Sequence, residues 1–401
     1  MAMQLGIVGK PNVGKSTFFN AATDANAEIA NYPFTTIDAN RGVMFVRKPC
    51  PCKEFKLQCN PHNSKCIEGT RYVPIEAIDV AGLVPDACKG RGLGNKFLDD
   101  LSQADALIHI IDASGSTDAE GNACGLGKYD PLNDVEFLEK EITYWLNGII
   151  KKNWESVAKR CELEDKKIAV LLGEKLTGLR IKEDHINIAI KKLDMDSSKP
   201  SKWTDEELLK FSDFLRKSSK PMLIAFNKAD IATDEFIKKA DEIRKKGYVV
   251  VPTSAECELA LTNAAKKGLI DYKPGSNNFN ILNEPQLTDK QRKGLKYIRT
   301  HVLEKYGSTG IQKCIDEIVK MLDLIVVYPV EDENHLKDKQ NRVLPDAYFM
   351  KRDSTAKDLA YKVHTDLGDN FIRAVDARTK RIIGADHKLK DGDVIRIVAD
   401  K

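Results

Sequence analysis

Gly9-Lys10-Pro11-Asn12-Val13-Gly14-Lys15-Ser16 stands between an apolar stretch, Leu5 to Val8, and a helix expected to begin near Thr17. Strand, glycine-bounded turn and helix in that order are what a G-x-x-x-x-G-K-S phosphate loop requires. The order places the chain among α/β folds with a mostly parallel sheet. Gly9 and Gly14 let the backbone curl so that N–H groups, that of Val13 among them, point at a phosphate chain. The helix entered through Thr17 adds the positive end of its dipole. Lys15 reaches the β- and γ-phosphates as a point charge, and the Ser16 hydroxyl completes the coordination of Mg²⁺. The bland alternative is a glycine-rich turn without a ligand.

Three further motifs address the nucleotide. Asp79-Val80-Ala81-Gly82 follows the apolar-rich run Tyr72 to Ile78. Asp79 then sits at the C-terminal end of a strand, where it can hold Mg²⁺ through its water shell while the Gly82 N–H meets a γ-phosphate. A contact made with the triphosphate and lost on hydrolysis is switch chemistry, although D-x-x-G also marks ordinary strand-to-turn junctions. Asn227-Lys228-Ala229-Asp230 follows Met222 to Phe226. The Asp230 carboxylate can accept both guanine N1–H and the exocyclic amine, a donor pair that adenine lacks. Thr253-Ser254-Ala255 follows Tyr248 to Val251, at a spacing that brings the Ala255 N–H towards the guanine oxygen. Each motif follows an apolar strand, and as an ordered set they point to a guanine nucleotide.

With those residues in place the chain resembles the GTPases of the translation-factor class. Asn31-Tyr32-Pro33-Phe34-Thr35-Thr36 is similar to the first switch of the Obg family. The resemblance implies that a threonine hydroxyl, Thr36 with Thr35 as its competitor, meets Mg²⁺ in the triphosphate state. Asp79 to Val84, with Gly90-Arg91-Gly92-Leu93-Gly94-Asn95-Lys96-Phe97-Leu98, resembles the second switch of the YchF-type branch, its archaeal and fungal members above all. That branch is drawn to ATP where its base-reading motif departs from N-K-x-D. Asn227, Lys228 and Asp230 are all kept here, so GTP and GDP are the expected ligands, with an ATP-preferring NTPase as the rival enzyme.

Ras-like enzymes place a glutamine directly after D-x-x-G to orient the attacking water. Leu83 stands there, and an aliphatic side chain cannot hydrogen-bond a nucleophile, so slow intrinsic hydrolysis is expected. A binding module with structural GTP and negligible turnover is the non-enzymatic rival. Asn12 offers a route to catalysis, because in related GTPases with P-N inside the phosphate loop this asparagine helps hold K⁺ beside the phosphates. Lys15, Thr36, Gly82 and Asn12 are therefore the residues expected to carry hydrolysis. Arg91 is a further candidate, more simply read as a solvated loop charge.

The chain has nine cysteines, enters a strand at its N-terminus, and holds no apolar run near the roughly eighteen residues a membrane span needs. A reducing, cytoplasmic setting without disulfides or membrane contact is expected. Cys50, Cys52, Cys59 and Cys66 nevertheless crowd a stretch rich in proline and asparagine. They form a candidate tetrahedral zinc site, with His62 able to replace one ligand and with unligated thiols, then a redox-sensitive disulfide, as the alternatives. Cys88, Cys124, Cys161, Cys257 and Cys314 are scattered and read as packing residues.

Residues 1–323 are assigned to a GTPase domain, interrupted by a helical insertion at about 120–218 and carrying the cysteine loop at 50–66. Apolar residues at Val135, Leu138, Ile142, Trp145, Leu146 and Ile149 give 133–159 a helical period. One core helix would explain them, and the length of the interval suggests an inserted subdomain. Its Lys151, Lys152, Lys166 and Lys167 could touch RNA or form a solvated face. Residues 324–401 read as strand, helix and strand: Leu324 to Val330, a helix capped by Ser354 with Leu359, Val363 and His364, then Asp391-Gly392-Asp393 turning into a closing strand. This segment resembles the ubiquitin-like TGS domain, which implies contact with the ribosome, rRNA or tRNA. The net charge of +3 favours no nucleic acid by itself, and no DNA partner is expected.

Overall fold

The computed structural model describes residues 3–24, 40–80, 100–164 and 166–400. Its larger sheet is built from β1 (Gln4–Val8), β2 (Arg41–Pro49), β3 (Lys65–Ile67), β4 (Thr70–Asp79), β5 (Ala106–Asp112), β6 (Met222–Asn227) and β7 (Val249–Pro252). The strand order is β2-β4-β1-β5-β6-β7, with β3 paired to β4. From β4 to β7 all neighbours run parallel, while β2 and β3 lie antiparallel to β4. Parallel strands covered on both faces must be apolar throughout, and β5 and β6 are buried at every position. The motifs all emerge at the C-terminal edge of this sheet, where such folds bind ligands.

One face of the sheet packs on α1 (Lys15–Asp24), which starts two residues earlier than the sequence suggests. The opposite face packs on the first half of α2 (Leu132–Glu164) through Val135, Leu138 and Ile142. The 33 residues of α2 span roughly 50 Å at 1.5 Å per residue, so its second half projects beyond the sheet. There Leu146, Ile150, Trp154 and Val157 build a separate core with α3 (Ile168–Leu176), α4 (Glu183–Lys192) and α5 (Asp205–Ser219). Trp154 and Trp203 meet at 5.0 Å between ring centroids in its centre. A sheet-covering helix and an inserted helical subdomain are therefore both present, carried by one continuous helix. Lys151 pairs with Asp205, and Lys166 with Glu164.

Beyond β7, α6 (Asp234–Lys245) covers the sheet beside α2, and α7 (Ala255–Lys266) and α8 (Asp289–Ile298) share a satellite core. The short strands β8 (Ile270–Asp271) and β9 (Asn280–Ile281) pair within it. Next, α9 (Ile311–Met321) packs on the same face as α1 and leads to the C-terminal sheet. That sheet contains β10 (Leu324–Val330), β11 (Tyr348–Lys351), β12 (Phe371–Asp376), β13 (Ile382–Ile383) and β14 (Val394–Ala399), ordered β11-β10-β14-β12-β13. Its helix, α10 (Ala356–Val363), is capped by Thr355 in place of the expected Ser354: the Asp358 N–H donates to Thr355 Oγ1 at 3.2 Å. Thr355 has the extended backbone a cap needs, while the Ser354 N–H closes a turn on Lys351. His364 likewise ends α10 and accepts from the Asp366 N–H at the start of the next short helix. Among the described residues, no helix is long and apolar enough to cross a membrane.

Candidate functional site

The phosphate loop runs from the end of β1 to the start of α1, and its two glycines are required by contact. A Cβ on Gly9 would lie 2.6 Å from the Ile110 carbonyl oxygen. One on Gly14, whose φ is +89°, would lie 2.4 Å from Asn227 Nδ2. Asn12 also adopts a left-handed backbone, φ +62°, a conformation asparagine tolerates better than most residues. Val13 is fully buried, and Ser16 and Thr17 follow in the first turn of α1. Lys15 Nζ forms an ion pair with Asp79 Oδ1 at the end of β4. The cation expected at the phosphates and the carboxylate expected at Mg²⁺ are thus brought together.

Asn227 ties the phosphate loop to the base-reading loop. Its Nδ2 donates to the Val13 carbonyl at 2.9 Å, while its Oδ1 accepts from the Ala255 N–H at 3.0 Å and Thr253 Oγ1 at 3.3 Å. The Ala255 N–H, expected to face a guanine oxygen, is thereby used inside the protein, since the unpaired first N–H of α7 points at the end of β6. Ser254 is buried just before it. The loop itself is braced from behind: the Tyr306 hydroxyl donates to the Ala229 carbonyl at 2.9 Å and the Tyr297 hydroxyl to the Asp230 carbonyl at 3.1 Å.

Three site residues escaped the sequence reading: Asp112, Lys10 and Asp134. Lys228, with φ +59°, donates from Nζ to Asp112 Oδ2 at 2.9 Å. Asp112, at the end of β5, also accepts from the Ser114 N–H at 3.0 Å, Ser116 Oγ at 2.8 Å and Thr117 Oγ1 at 3.0 Å. Burial raises its pKa, but Lys228 and the serine hydroxyls outweigh burial and hold the carboxyl below the usual range. A run of hydroxyl residues directly after a buried strand, Asp112-Ala113-Ser114-Gly115-Ser116-Thr117, was the signal available. The second is Lys10, 5% exposed, whose Nζ donates to Asp134 Oδ1 at 2.9 Å and to the Thr117 carbonyl at 3.0 Å, and lies 3.9 Å from the Tyr129 ring centroid. Asp134, in the first turn of α2, is the third: burial pushes its carboxyl up to about 6, against the pull of Lys10. Beside this pair, Asn12 Nδ2 donates to the Gly121 carbonyl at 2.9 Å.

Thr35, Thr36, Gly82, Leu83, Cys88 and Arg91 lie outside the described residues.

The four cysteines between β2 and β4 converge although they are spread along the loop. Their sulfur atoms all lie within 4.8 Å of one another, with Cys50–Cys59 and Cys52–Cys66 each at 3.8 Å. Hydrogen bonding from Cys59, together with the Arg71 guanidinium, draws Cys50 down to about 4 against the effect of burial. Burial drives Cys52 up, and Cys59 rises chiefly through its hydrogen bond with Cys50. His62 stands aside from the thiols, 3.6 Å from Asp346.

Comparison with known proteins agrees with this architecture. A family model described as 50S ribosome-binding GTPase matches residues 4–145, and one described as Obg-like GTPase YGR210-like, G4 motif-containing domain, matches 225–332. A TGS domain model matches 338–399. An uncharacterized GTP-binding protein of Methanocaldococcus jannaschii is 55% identical over 100% of this chain and 99% of its own. The ribosome-binding ATPase YchF of Bacillus subtilis is 29% identical, covering 98% of both chains. Among solved structures, a GTP binding protein of Pyrococcus horikoshii is 42% identical with a TM-score of 0.80, over 99% of this chain and 100% of that one.

Proposed function

The chain belongs to the YchF/Obg-like GTPase family, and on that premise we propose that it is a Mg²⁺-dependent GTP hydrolase that acts as a switch on cytoplasmic ribosomes. The observation that carries the choice of GTP is the base-reading loop, in which Asn227, Lys228 and Asp230 are retained and the backbone is braced by two tyrosine hydroxyls. An acceptor held there discriminates strongly, because a base without the matching donors leaves it unpaired.

Mg²⁺ fits the residues present: Ser16 at a helix start and Asp79 at a strand end supply oxygen donors of the kind it takes, with Thr36 as the expected third. When bound, the ion would neutralise the β- and γ-phosphate oxygens. Lys15, now paired with Asp79, would transfer its charge to the phosphates, and the Gly82 N–H would report the γ-phosphate to the second switch. Leu83 supplies no group to orient water, so turnover without a partner should be slow. The Asn12 Nδ2 is spent on Gly121, which leaves its carbonyl oxygen to hold K⁺. Zinc at Cys50, Cys52, Cys59 and Cys66 would belong to the architecture and not to hydrolysis.

Ribosome action is proposed from the TGS domain and from relatives bearing ribosome-binding names. Those relatives are named ATPases, so ATP is the competing substrate. The test is co-sedimentation of the protein with ribosomes in GDP, GTP and a non-hydrolysable GTP analogue, with phosphate release measured from GTP and ATP. Selective association with the analogue and ribosome-stimulated release from GTP are expected. Equal use of ATP would overturn the guanine assignment, and no association in any nucleotide state would remove the ribosome.

A further inference from the structure

We propose that Cys50, Cys52, Cys59 and Cys66 hold a zinc ion as a closed tetrathiolate, and that this metal knuckle fastens the C-terminal domain to the GTPase sheet. The metal half of this proposal rests on the zinc reading above; the fastening is an additional consequence.

The sulfur geometry suits one ion. A Zn–S bond of about 2.3 Å in a tetrahedron sets neighbouring sulfurs about 3.8 Å apart. The Cys50–Cys59 and Cys52–Cys66 pairs stand at 3.8 Å, and all four sulfurs fall within 4.8 Å. A multi-iron cluster interposes inorganic sulfide and spreads its thiolates further. Four protein ligands with Cys50 and Cys52 buried leave no open position for a substrate, as in structural sites.

A second observation is independent of the sulfurs. Arg71 is fully buried, and among the described residues no carboxylate pairs with it. Its guanidinium donates to Ser64 Oγ at 2.8 Å, the Leu344 carbonyl at 3.0 Å and Cys50 Sγ at 3.5 Å. A buried cation needs a counter-charge. A zinc tetrathiolate, with a net charge of −2, provides one beside the guanidinium. Arg71 then acts as the outer-shell donor that such ligands normally have.

The same loop is the seam with residues 343–347. The Val343 N–H donates to Asn60 Oδ1 at 2.6 Å, and the Ala347 N–H to Asn63 Oδ1 at 2.8 Å. In return the His62 N–H donates to the Pro345 carbonyl at 2.7 Å. Cys50 and Cys52 share an apolar cluster with Tyr328, Leu336, Leu344 and Val394 of the C-terminal part. A loop of this composition has little secondary structure of its own, so its shape depends on the cross-link. Arg71 joins the two halves directly, touching a ligand sulfur with one nitrogen atom that also reaches Leu344.

The test uses the full-length protein, purified under reducing conditions. Metal analysis is expected to give one equivalent of zinc per chain, and Co²⁺ substitution to give the visible and thiolate charge-transfer bands of a tetrahedral sulfur site. Hydrogen exchange at the Val343 and Ala347 amides is then compared with and without metal. Chelation, or the Cys59→Ser/Cys66→Ser double variant, should accelerate exchange there by at least about tenfold, while nucleotide affinity shows that the GTPase core remains folded. A reduced protein that takes up neither Zn²⁺ nor Co²⁺ overturns the metal site. One that binds metal but keeps the same exchange at 343–347 after its removal overturns the fastening alone.

Discussion

Asn227→Ala should unpick the nucleotide site from the centre, and its cost can be worked from three hydrogen bonds. The side chain is 3% exposed and serves Val13, Ala255 and Thr253 at 2.9, 3.0 and 3.3 Å. The Thr253 hydroxyl can rotate to another partner, but the Val13 carbonyl and the Ala255 N–H are backbone groups held in place. Each buried group left unpaired costs about 1–3 kcal/mol, so roughly 3 kcal/mol is expected for the two. At about 2.1 cal/mol/K per residue, 1 kcal/mol moves the melting temperature of a domain of about 320 residues by roughly 1.5 °C, which puts the expected drop at roughly 4–5 °C by scanning calorimetry. Asn227→Asp separates the two sides of the side chain. It keeps the acceptor for Ala255 but sets a carboxylate oxygen against the Val13 carbonyl, so nucleotide dissociation should accelerate beyond that of the alanine variant. An alanine variant that melts within about 2 °C of the parent and binds GTP unchanged would refute the idea that Asn227 joins the two loops.

Asp230→Asn removes a charged acceptor of two guanine donors, each bond worth about 1.5–3 kcal/mol. GTP affinity should fall at least about a hundredfold while xanthosine triphosphate gains; an unaltered preference would show that the base is read elsewhere. Asp134 has its folded pKa raised to about 6 from 3.8. The folded state therefore holds this proton more tightly than the unfolded chain, and stability from it is present below about pH 4 and lost as pH rises to about 6. The shift amounts to about 3 kcal/mol; Asp134→Asn should flatten the difference in urea stability between pH 4 and 7 by about that much, and a parallel pH profile would contradict the assignment. Hydrolysis measured in K⁺ and Na⁺ at equal ionic strength should be faster in K⁺, and Asn12→Ala should erase the difference; equal parent rates would exclude the cation.

The motifs were legible because each is local. Glycine at positions 9 and 14, the Lys15-Ser16 pair and the apolar runs before Asp79 and Asn227 lie within a dozen residues of what they define, and β10 appears over the same residues that its composition suggests. The long interval was harder, because an apolar period of 3.6 residues does not say which core it faces. In α2 one uninterrupted stripe serves the sheet as far as Ile142 and the inserted bundle from Leu146 onward, so neither a single core helix nor a separate subdomain describes it alone.

Buried charge was the part that pattern could not reach. Lys10, Asp112, Asp134 and Arg71 look in sequence like ordinary surface residues, the usual place for such side chains. Each becomes interior through a partner far along the chain: Lys10 through Asp134, Asp112 through Lys228, Arg71 through Leu344. These pairs also explain how a phosphate loop can be felt at a distance. Lys10 and Asn12 attach one side of it to the segment that begins α2, and Asn227 attaches the other to the base-reading strand. Buried ion pairs yield less readily than exposed side chains, since separating them leaves an unpaired charge in the interior. The first turn of α2 is fastened to the phosphate loop in this way, by the Lys10–Asp134 pair.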